Sequence, residues 1–332
     1  MAEKRRILVL GSNAFAGADL VDLLLQDQDN QVVGVSRSPE KSELFLPYRR
    51  RTGADFRFYQ MDLNRDMDQV LELCRQFRPS HIVNMTALCE VAPSWEHPQH
   101  WFQTNLCALA ELARGLRDAP YLERFLQISS PEVYGSCARP VKEDAPFNPS
   151  TPYAVSKAAA DMFLQTMHRQ YGFPVIIIRS TNYYGAHQQL WKIIPRSVIY
   201  IKSGRTIELH GGGRAVKSFI HVRDVSRGEV LALFQGRVGQ IYHLSPERGY
   251  QVRQVVERIC QLMGVEFEQA TRTVDERPGQ DAAYLVDSEK ARRELGWSPR
   301  VELDQGLAEV IQWVEANWPG ILEQPLEYRH RA

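Results

Sequence analysis

The sequence predicts an α/β fold: a doubly wound parallel sheet joined to a smaller mixed α/β region. Three observations predict it. A short apolar strand, Arg6 to Leu10, runs through the turn Gly11-Ser12-Asn13-Ala14-Phe15-Ala16-Gly17 into a helical stretch, Ala18 to Leu25. Strand-like and helix-like stretches then alternate as far as Arg179, the regularity of consecutive βαβ units. Beyond Gly185 the alternation loosens into short extended pieces and amphipathic helices.

The first strand, its glycine turn and the helix after it form the context a dinucleotide needs. Gly11 permits the tight turn and Gly17 lets the helix pack closely. The helix N-terminus offers N–H groups to a pyrophosphate. Ala14 stands where the middle glycine of that pattern usually lies. Gly11, Asn13, Ala14, Phe15 and Gly17 are therefore candidate cofactor contacts. A second strand, Gln31 to Val35, ends in Ser36-Arg37-Ser38. NAD sites usually place an acid here for the ribose hydroxyls. Ser36 occupies that place and Arg37 follows, and a guanidinium suits a 2′-phosphate, so NADP is favoured over NAD. The alternative is a solvated loop charge, as the run Arg49-Arg50-Arg51 is read.

The third strand, Asp55 to Gln60, leads to Asp62-Leu63. Asp62 either accepts from an adenine amino group, with the Leu63 backbone alongside, or caps the helix Asp66 to Phe77. The fourth strand, His81 to Met85, ends in Thr86-Ala87, small residues beside which a cofactor could pass. Leu88 to His97 reads as irregular, and a helix from about Gln99 to Arg117 carries Asn105. The fifth strand, Phe125 to Ser130, the helix Tyr153 to His168 and the sixth strand, Pro174 to Arg179, complete the alternation.

The stretch Ser129 to Lys157 carries the chemistry. Tyr153 and Lys157 are four residues apart and share one helix face. A free tyrosine, with pKa near ~10, is a weak base at neutral pH, and a nearby ammonium favours its phenolate. Ser130 closes the preceding strand and is placed to hydrogen-bond the same reacting oxygen. Tyr-x-x-x-Lys is common in helices, so it gains meaning only with a hydride acceptor beside it. The N-terminal glycine turn supplies that site.

Length and composition set the bounds. With 332 residues, one large or two unequal domains are expected. The proposed division is a dinucleotide-binding part, 1–182, and a nucleotide-binding remainder, 183–330, with the chain returning to the first part around 219–246. A 44% hydrophobic and 24% charged composition with zero net charge gives no support for nucleic-acid or membrane-surface binding. Cys74, Cys89, Cys107, Cys137 and Cys260 are odd in number and show no metal-knuckle spacing, so no metal and a reducing cytoplasm are expected. The run Ile7 to Leu10 is too short for a secretion signal, and no run approaches the ~20 apolar residues of a membrane span. In the second region Trp191 to Ile201 reads as helix. Thr206 to His210 and Ser218 to Val222 read as strands around Gly211-Gly212-Gly213. Gln240 to Leu244 reads as strand, Val252 to Met263 as helix, Thr271 to Arg277 as extended, and Ser288 to Leu295 and Asp304 to Trp318 as helices.

Five pieces together resemble one family: Ser130 to Gly135, Pro152 to Lys157, Arg179 to Gly185, Ser218 to Val225, and Arg277-Pro278-Gly279. Over about residues 5 to 318 the chain resembles the extended short-chain dehydrogenases/reductases. Among these it is most similar to nucleotide-sugar 4,6-dehydratases such as those acting on dTDP-glucose and GDP-mannose. The resemblance implies a Rossmann-type sheet with a smaller substrate domain, an NAD(P) cofactor, a nucleotide-diphosphate-sugar substrate and a homodimer. It implies that Ser130 and Tyr153 hold the sugar 4-hydroxyl and Lys157 the nicotinamide ribose. Asn182, Lys217 and Arg277 fall to the diphosphate, and Lys192 with Ile194-Pro195 to the nucleotide pocket.

The implied reaction oxidises C4, removes the acidified C5 proton through Glu132, expels water from C6 and returns the hydride there. Pro131 stands where the dTDP-glucose enzymes carry an Asp acid, so Glu132 is expected to hand its proton to the C6 oxygen. A 4-epimerase or a 4-keto-sugar reductase on the same fold is the alternative, and a non-catalytic dinucleotide-binding protein a further one.

Overall fold

A computed structural model describes residues 4–276 and 283–330. In chain order the first half comprises β1 (Arg5–Leu10), α1 (Phe15–Leu24), β2 (Asn30–Ser36), β3 (Phe56–Gln60), α2 (Met67–Phe77) and β4 (His81–Asn84). Then come α3 (Val91–Glu96), α4 (Pro98–Phe102), a π-helical turn (Gln103–Cys107), α5 (Ala108–Leu116), β5 (Arg124–Ser129), β6 (Cys137–Val141), α6 (Pro152–Tyr171) and β7 (Val175–Ser180). The second half continues with β8 (Asn182–Tyr184), α7 (Ile193–Lys202), β9 (Ile207–His210), β10 (Val216–Lys217), β11 (Phe219–His221), α8 (Val222–Gln235) and β12 (Ile241–Leu244). It ends with β13 (Tyr250–Gln251), α9 (Val252–Met263), α10 (Phe267–Ala270), β14 (Thr271–Val274), β15 (Ala283–Val286), α11 (Glu289–Leu295), α12 (Leu303–Ala316) and α13 (Trp318–Leu322).

The main sheet has seven strands in the order β12-β7-β5-β4-β1-β2-β3, every neighbouring pair parallel. Period-two alternation explains its two covered faces. Ile7 and Val9 enter one core with α1 and α8, whereas Leu8 and Leu10 enter another with α2, α5 and α6. Strand order reverses between β1 and β4, which opens a crevice at their carboxyl ends. A third core joins α7, α9 and α12, and a four-stranded sheet, β13-β10-β15-β6, lies beside the catalytic stretch. Among the described residues no helix is long and apolar enough to cross a membrane.

Three readings need correction. The segment 88–97 is not irregular throughout: Val91–Glu96 is helical, started by Glu90 in an extended conformation. The stretch between Gly135 and Tyr153, in which no strand or helix is read from the sequence, contains β6, which pairs with β15 from far along the chain. The helix read from Gln99 to Arg117 is interrupted by its π-helical turn. Each depends on a long-range partner that local pattern does not reveal.

Candidate active site

The crevice begins at the glycine turn. Gly11 adopts φ +90°, open to glycine without strain, and a Cβ there would lie 3.1 Å from the Met85 and Thr86 backbone. The helix starts at Phe15 rather than Ala18, so Gly17 sits inside its first turn. A Cβ on Gly17 would meet the Gly11 carbonyl oxygen at 2.2 Å, so the turn and helix close on each other only with glycine. Ala14 is extended at the N-cap and contributes no side-chain cap, which leaves the first helical N–H groups facing the crevice. This cradle fits a dinucleotide pyrophosphate.

The Ser36 hydroxyl accepts the Asn13 N–H at 2.9 Å, and Asn13 Nδ2 donates to the Ser38 and Pro39 carbonyls at 3.0 and 2.8 Å. Asn13 and Ser36 thus brace the turn from within, and Arg37 stands exposed beyond them. Asp62 does not cap α2, whose N-cap is Asp66; it accepts the Asn64 N–H at 3.0 Å. Leu63 is buried beside it. Thr86 and Ala87 follow β4, with the Thr86 N–H bonded to Asn84 Oδ1 at 3.1 Å.

Ser130, Glu132, Tyr153 and Lys157 come together at the end of β5 and the start of α6. Ser130 caps a single 3-10 turn, Pro131–Tyr134, by accepting the Glu132 N–H at 3.2 Å, which aims Glu132 off the strand end. Thr151 caps α6 by accepting the Ala154 N–H, and Pro152 occupies its first turn. Tyr153 is nearly buried, and the Ser130 side chain reaches its phenol as a hydrogen-bond partner.

The expected effect of Lys157 on Tyr153 is not what the structure gives. Burial, then Glu132, Cys89 and Tyr183, push the Tyr153 phenol well above its usual value, against the hydrogen bond with Ser130. The Lys157 ammonium turns instead to the Ile128 carbonyl oxygen at 2.7 Å. Burial draws its own pKa down, against Asp161 and Cys89.

A second group of side chains lies near these four. Lys192 Nζ pairs with Glu90 at 2.7 Å, and Trp191 Nε1 donates to the same carboxylate at 3.1 Å. Burial works against the Lys192 ammonium, but Glu90, Cys89 and Glu132 outweigh it and hold its pKa above the ordinary lysine value. Cys89 opens to the crevice, yet protein surrounds its thiol closely enough to raise its pKa. Asn182 follows β7 and accepts from the Tyr284 hydroxyl at 2.7 Å. The Lys217 ammonium lies 5.7 Å from the Tyr284 ring, so Asn182 and Lys217 converge on one aromatic side chain. Arg277 lies outside the described residues. Among the described residues no group of His, Cys, Asp or Glu is arranged to hold a metal ion.

Three supports escaped the sequence reading. Asn105, in the π-helical turn, holds the Leu88 backbone through both its side-chain atoms and bonds Ser156 Oγ at 2.9 Å, fixing the 88–90 segment against α6. A π-bulge is frequent at functional sites, but nothing in the local sequence marks one. Asp161 and Arg179 form a fully buried ion pair, 2.8 Å apart, in which Asp161 also accepts from Ser129 Oγ at 2.8 Å. Arg179 in turn bonds Tyr134, whose hydroxyl lies 2.7 Å from His243 Nε2. Glu90 lay in a segment without spacing signals. Its partner Lys192 is the only hint, and that link is visible only in three dimensions.

A phenol, a hydroxyl and a carboxylate at one strand end, beside a pyrophosphate cradle, suit oxidation of an alcohol followed by proton abstraction at the neighbouring carbon. Fold and site define an extended short-chain dehydrogenase/reductase of the nucleotide-sugar-modifying class. The family described as GDP-mannose 4,6 dehydratase matches residues 8–310, and the chain belongs to it. Its activity class is nucleotide-sugar 4,6-dehydration, a hydro-lyase reaction. It is 30% identical to a dTDP-glucose 4,6-dehydratase of Haemophilus influenzae over 94% of this chain and 98% of that one. A dTDP-D-glucose 4,6-dehydratase of Bos taurus is 29% identical over 95% and 90% of the two chains. The structure resembles the crystal structure of DesIV, a dTDP-glucose 4,6-dehydratase from Streptomyces venezuelae with NAD bound. Its TM-score is 0.88 at 30% identity, covering 95% of this chain and 98% of the other. The sheet expected from the sequence is thus present. The solved relatives contain NAD, so the preference for NADP read from Arg37 finds no support in them.

Proposed function

We propose that this chain oxidises C4 of a nucleotide-diphosphate sugar, eliminates water across C5–C6 and returns the hydride to C6, with Ser130, Glu132, Tyr153 and Lys157 as the catalytic residues. The observation that carries this reading is Glu132 beside the Tyr153 phenol at one strand end. A simple alcohol oxidation has no use for that carboxylate.

When bound, the oxidised dinucleotide supplies the hydride acceptor and a positive charge. Tyr153 takes the 4-hydroxyl proton while Ser130 hydrogen-bonds the same oxygen. Lys157 holds the ribose and keeps α6 against β5. Glu132 removes the C5 proton, made acidic by the adjacent ketone, and delivers it to the departing C6 oxygen, because Pro131 has no proton to give; the proton taken up by Tyr153 balances the one that C5 regains as hydride returns to C6. Asn182, Lys192, Lys217 and Arg277 are the diphosphate and nucleotide contacts in this reading. Gly11, Asn13, Ala14, Phe15, Gly17, Ser36, Arg37, Asp62, Leu63, Thr86 and Ala87 line the cofactor. The division into a dinucleotide part, 1–182, and a sugar-nucleotide part, 183–330, belongs to the same reading.

NADP remains the favoured form of the cofactor: Ser36 replaces the usual acid, its hydroxyl is engaged by Asn13, and Arg37 is exposed beside it. Mass spectrometry of the cofactor released by denaturation decides between the two forms. A cytoplasmic homodimer is part of the proposal. On α6, Val155 and Met162, seven residues apart and so on one helix face, are 40 and 54% exposed, an apolar strip suited to a second copy.

Pro131 also favours a second reading, a 4-epimerase or 4-keto-sugar reductase, which needs no acid for a leaving hydroxyl. Mass spectrometry of products from a panel of nucleotide sugars separates them. Dehydration removes one water, epimerisation leaves the mass unchanged, and reduction consumes the reduced cofactor.

A further inference from the structure

The chain does not stop at α13. Residues 323–330 run on without helix or strand, and their burial alternates: Gln324, Leu326, Tyr328 and His330 are half-buried while Pro325, Glu327 and Arg329 are exposed. Period-two burial is the signature of an extended segment laid along a surface.

The points of contact show which surface. Leu326 packs on the third core, built from α7, α9 and α12. The Tyr328 ring meets Trp191 edge-on at 5.8 Å, and its hydroxyl lies 3.2 Å from His330 Nδ1. His330 Nε2 lies 2.9 Å from His100 Nδ1, and its ring stacks on Trp101 at 5.1 Å and on His97 at 5.3 Å. Trp101 packs in turn against Leu88 and the proposed base Tyr153. The segment therefore starts on the second region and is fastened to the first, so it crosses the mouth of the crevice. The phenol of Tyr328 feels the charges of Glu90, Cys89, Arg37 and Lys192, of which Arg37 is assigned above to the cofactor and Lys192 to the substrate.

We propose that residues 323–330 are a strap across the substrate crevice, latched by His330 on His100 and Trp101, and that Tyr328 forms a wall of the nucleotide-sugar pocket beside Glu90 and Lys192. Nucleotide sugar enters and leaves only when the strap lifts. The wall role rests on reading the Glu90–Lys192 face as part of the nucleotide-sugar pocket; the strap itself does not. The latch is small: one hydrogen bond between imidazoles and the stacking of a single imidazole on Trp101, His97 and His100. It is weak enough to open on the time scale of turnover, as site-covering segments must.

Two readouts test the strap and the wall separately, using cofactor-loaded protein. The first is the rate at which hydroxyl radicals oxidise Trp101, fully buried with the His330 ring stacked on it, followed by peptide mass spectrometry. This needs no substrate and so survives any failure of the dehydratase reading. Oxidation should be about fivefold faster or more in a chain ending at Leu322 and in His330→Ala, because access follows the population of the open strap. Equal rates in the full chain and in either folded variant overturn the strap, and the point variant keeps the test alive should the shortened chain not fold. The second readout is the KM for the nucleotide sugar that the full chain dehydrates. Tyr328→Ala should raise it about fivefold or more while Tyr328→Phe, which keeps the ring, stays near the parent. An unchanged KM in Tyr328→Ala overturns the wall.

Discussion

The Lys157 ammonium donates to the Ile128 carbonyl oxygen at 2.7 Å, tying the helix that carries Tyr153 to the strand that delivers Ser130. That bond makes Lys157 a positioning group for α6 as well as a contact for the ribose. Lys157→Met keeps the stem and removes the ammonium. Its kcat should fall on the order of 100-fold, the scale of a misplaced general base. Dinucleotide should remain measurable on the purified protein, since the glycine turn is untouched. Near-parental turnover in the Met variant, checked by steady-state kinetics, refutes the assignment.

Glu132 is proposed to act twice, on C5 and on the C6 oxygen. Glu132→Gln removes both actions but not the first oxidation, which needs only Ser130, Tyr153 and the cofactor. Dehydration should drop by about 10²–10⁴-fold while reduced-nicotinamide absorbance still appears when substrate is mixed with the variant. Stopped-flow absorbance with product analysis reads both. A Gln variant that forms the 4-keto-6-deoxy product at a comparable rate shows that another group does the work.

The sheet was legible because its signals are local. Ile7 to Leu10, Phe125 to Ile128 and Val175 to Ile178 are apolar runs long enough for buried strands, and Gly11 and Gly17 carry the backbone demands of the turn. Ser130, Glu132, Tyr153 and Lys157 were legible for the same reason, as they lie within one short stretch. Glu90, Asn105 and the Asp161–Arg179 pair were not, because each gets its role from a partner distant in sequence. The tuning of Tyr153 by Lys157 was misjudged for a further reason. Helical spacing gives a shared face but does not say where a long flexible side chain turns, and the Ile128 carbonyl captured this one.

Glu229 offers a pH test away from the reacting groups. It is fully buried on α8, neither carboxylate oxygen has a hydrogen-bond partner among the described residues, and burial, then the nearby Asp19, raises its pKa from 4.5 to about 8. A carboxyl raised on folding holds its proton in the native state at pH values where the unfolded chain has released it. Its contribution to stability is therefore intact below about pH 4.5 and is lost as pH rises toward about 8. The slope from this group approaches ~1.4 kcal/mol per pH unit within that window. Glu229→Gln removes the titration, so denaturant unfolding from pH 5 to pH 8 should show a flatter profile and a more stable variant at the alkaline end. An unchanged profile means the carboxyl is not held neutral.

Asp161 and Arg179 pair beneath the site with both side chains fully buried. Asp161 also anchors Ser129, the residue before Ser130, while Arg179 reaches Tyr134 at the end of the turn that aims Glu132. Asp161→Ala leaves a buried guanidinium without its counter-charge, and breaking such a pair costs about 3–5 kcal/mol. Chemical denaturation should report a loss of that size. Because the pair braces both β5 and α6, the folded fraction should also turn over more slowly than the stability loss alone explains, with kcat falling more than KM rises. Leu in place of both partners separates the two effects. A well-packed apolar pair can recover stability, yet it takes the Asp161 acceptor from Ser129 and the Arg179 guanidinium from Tyr134, so activity should stay low even where the unfolding midpoint returns. Recovery of both together would mean that the pair supports the core alone and has no part in aiming the catalytic turn.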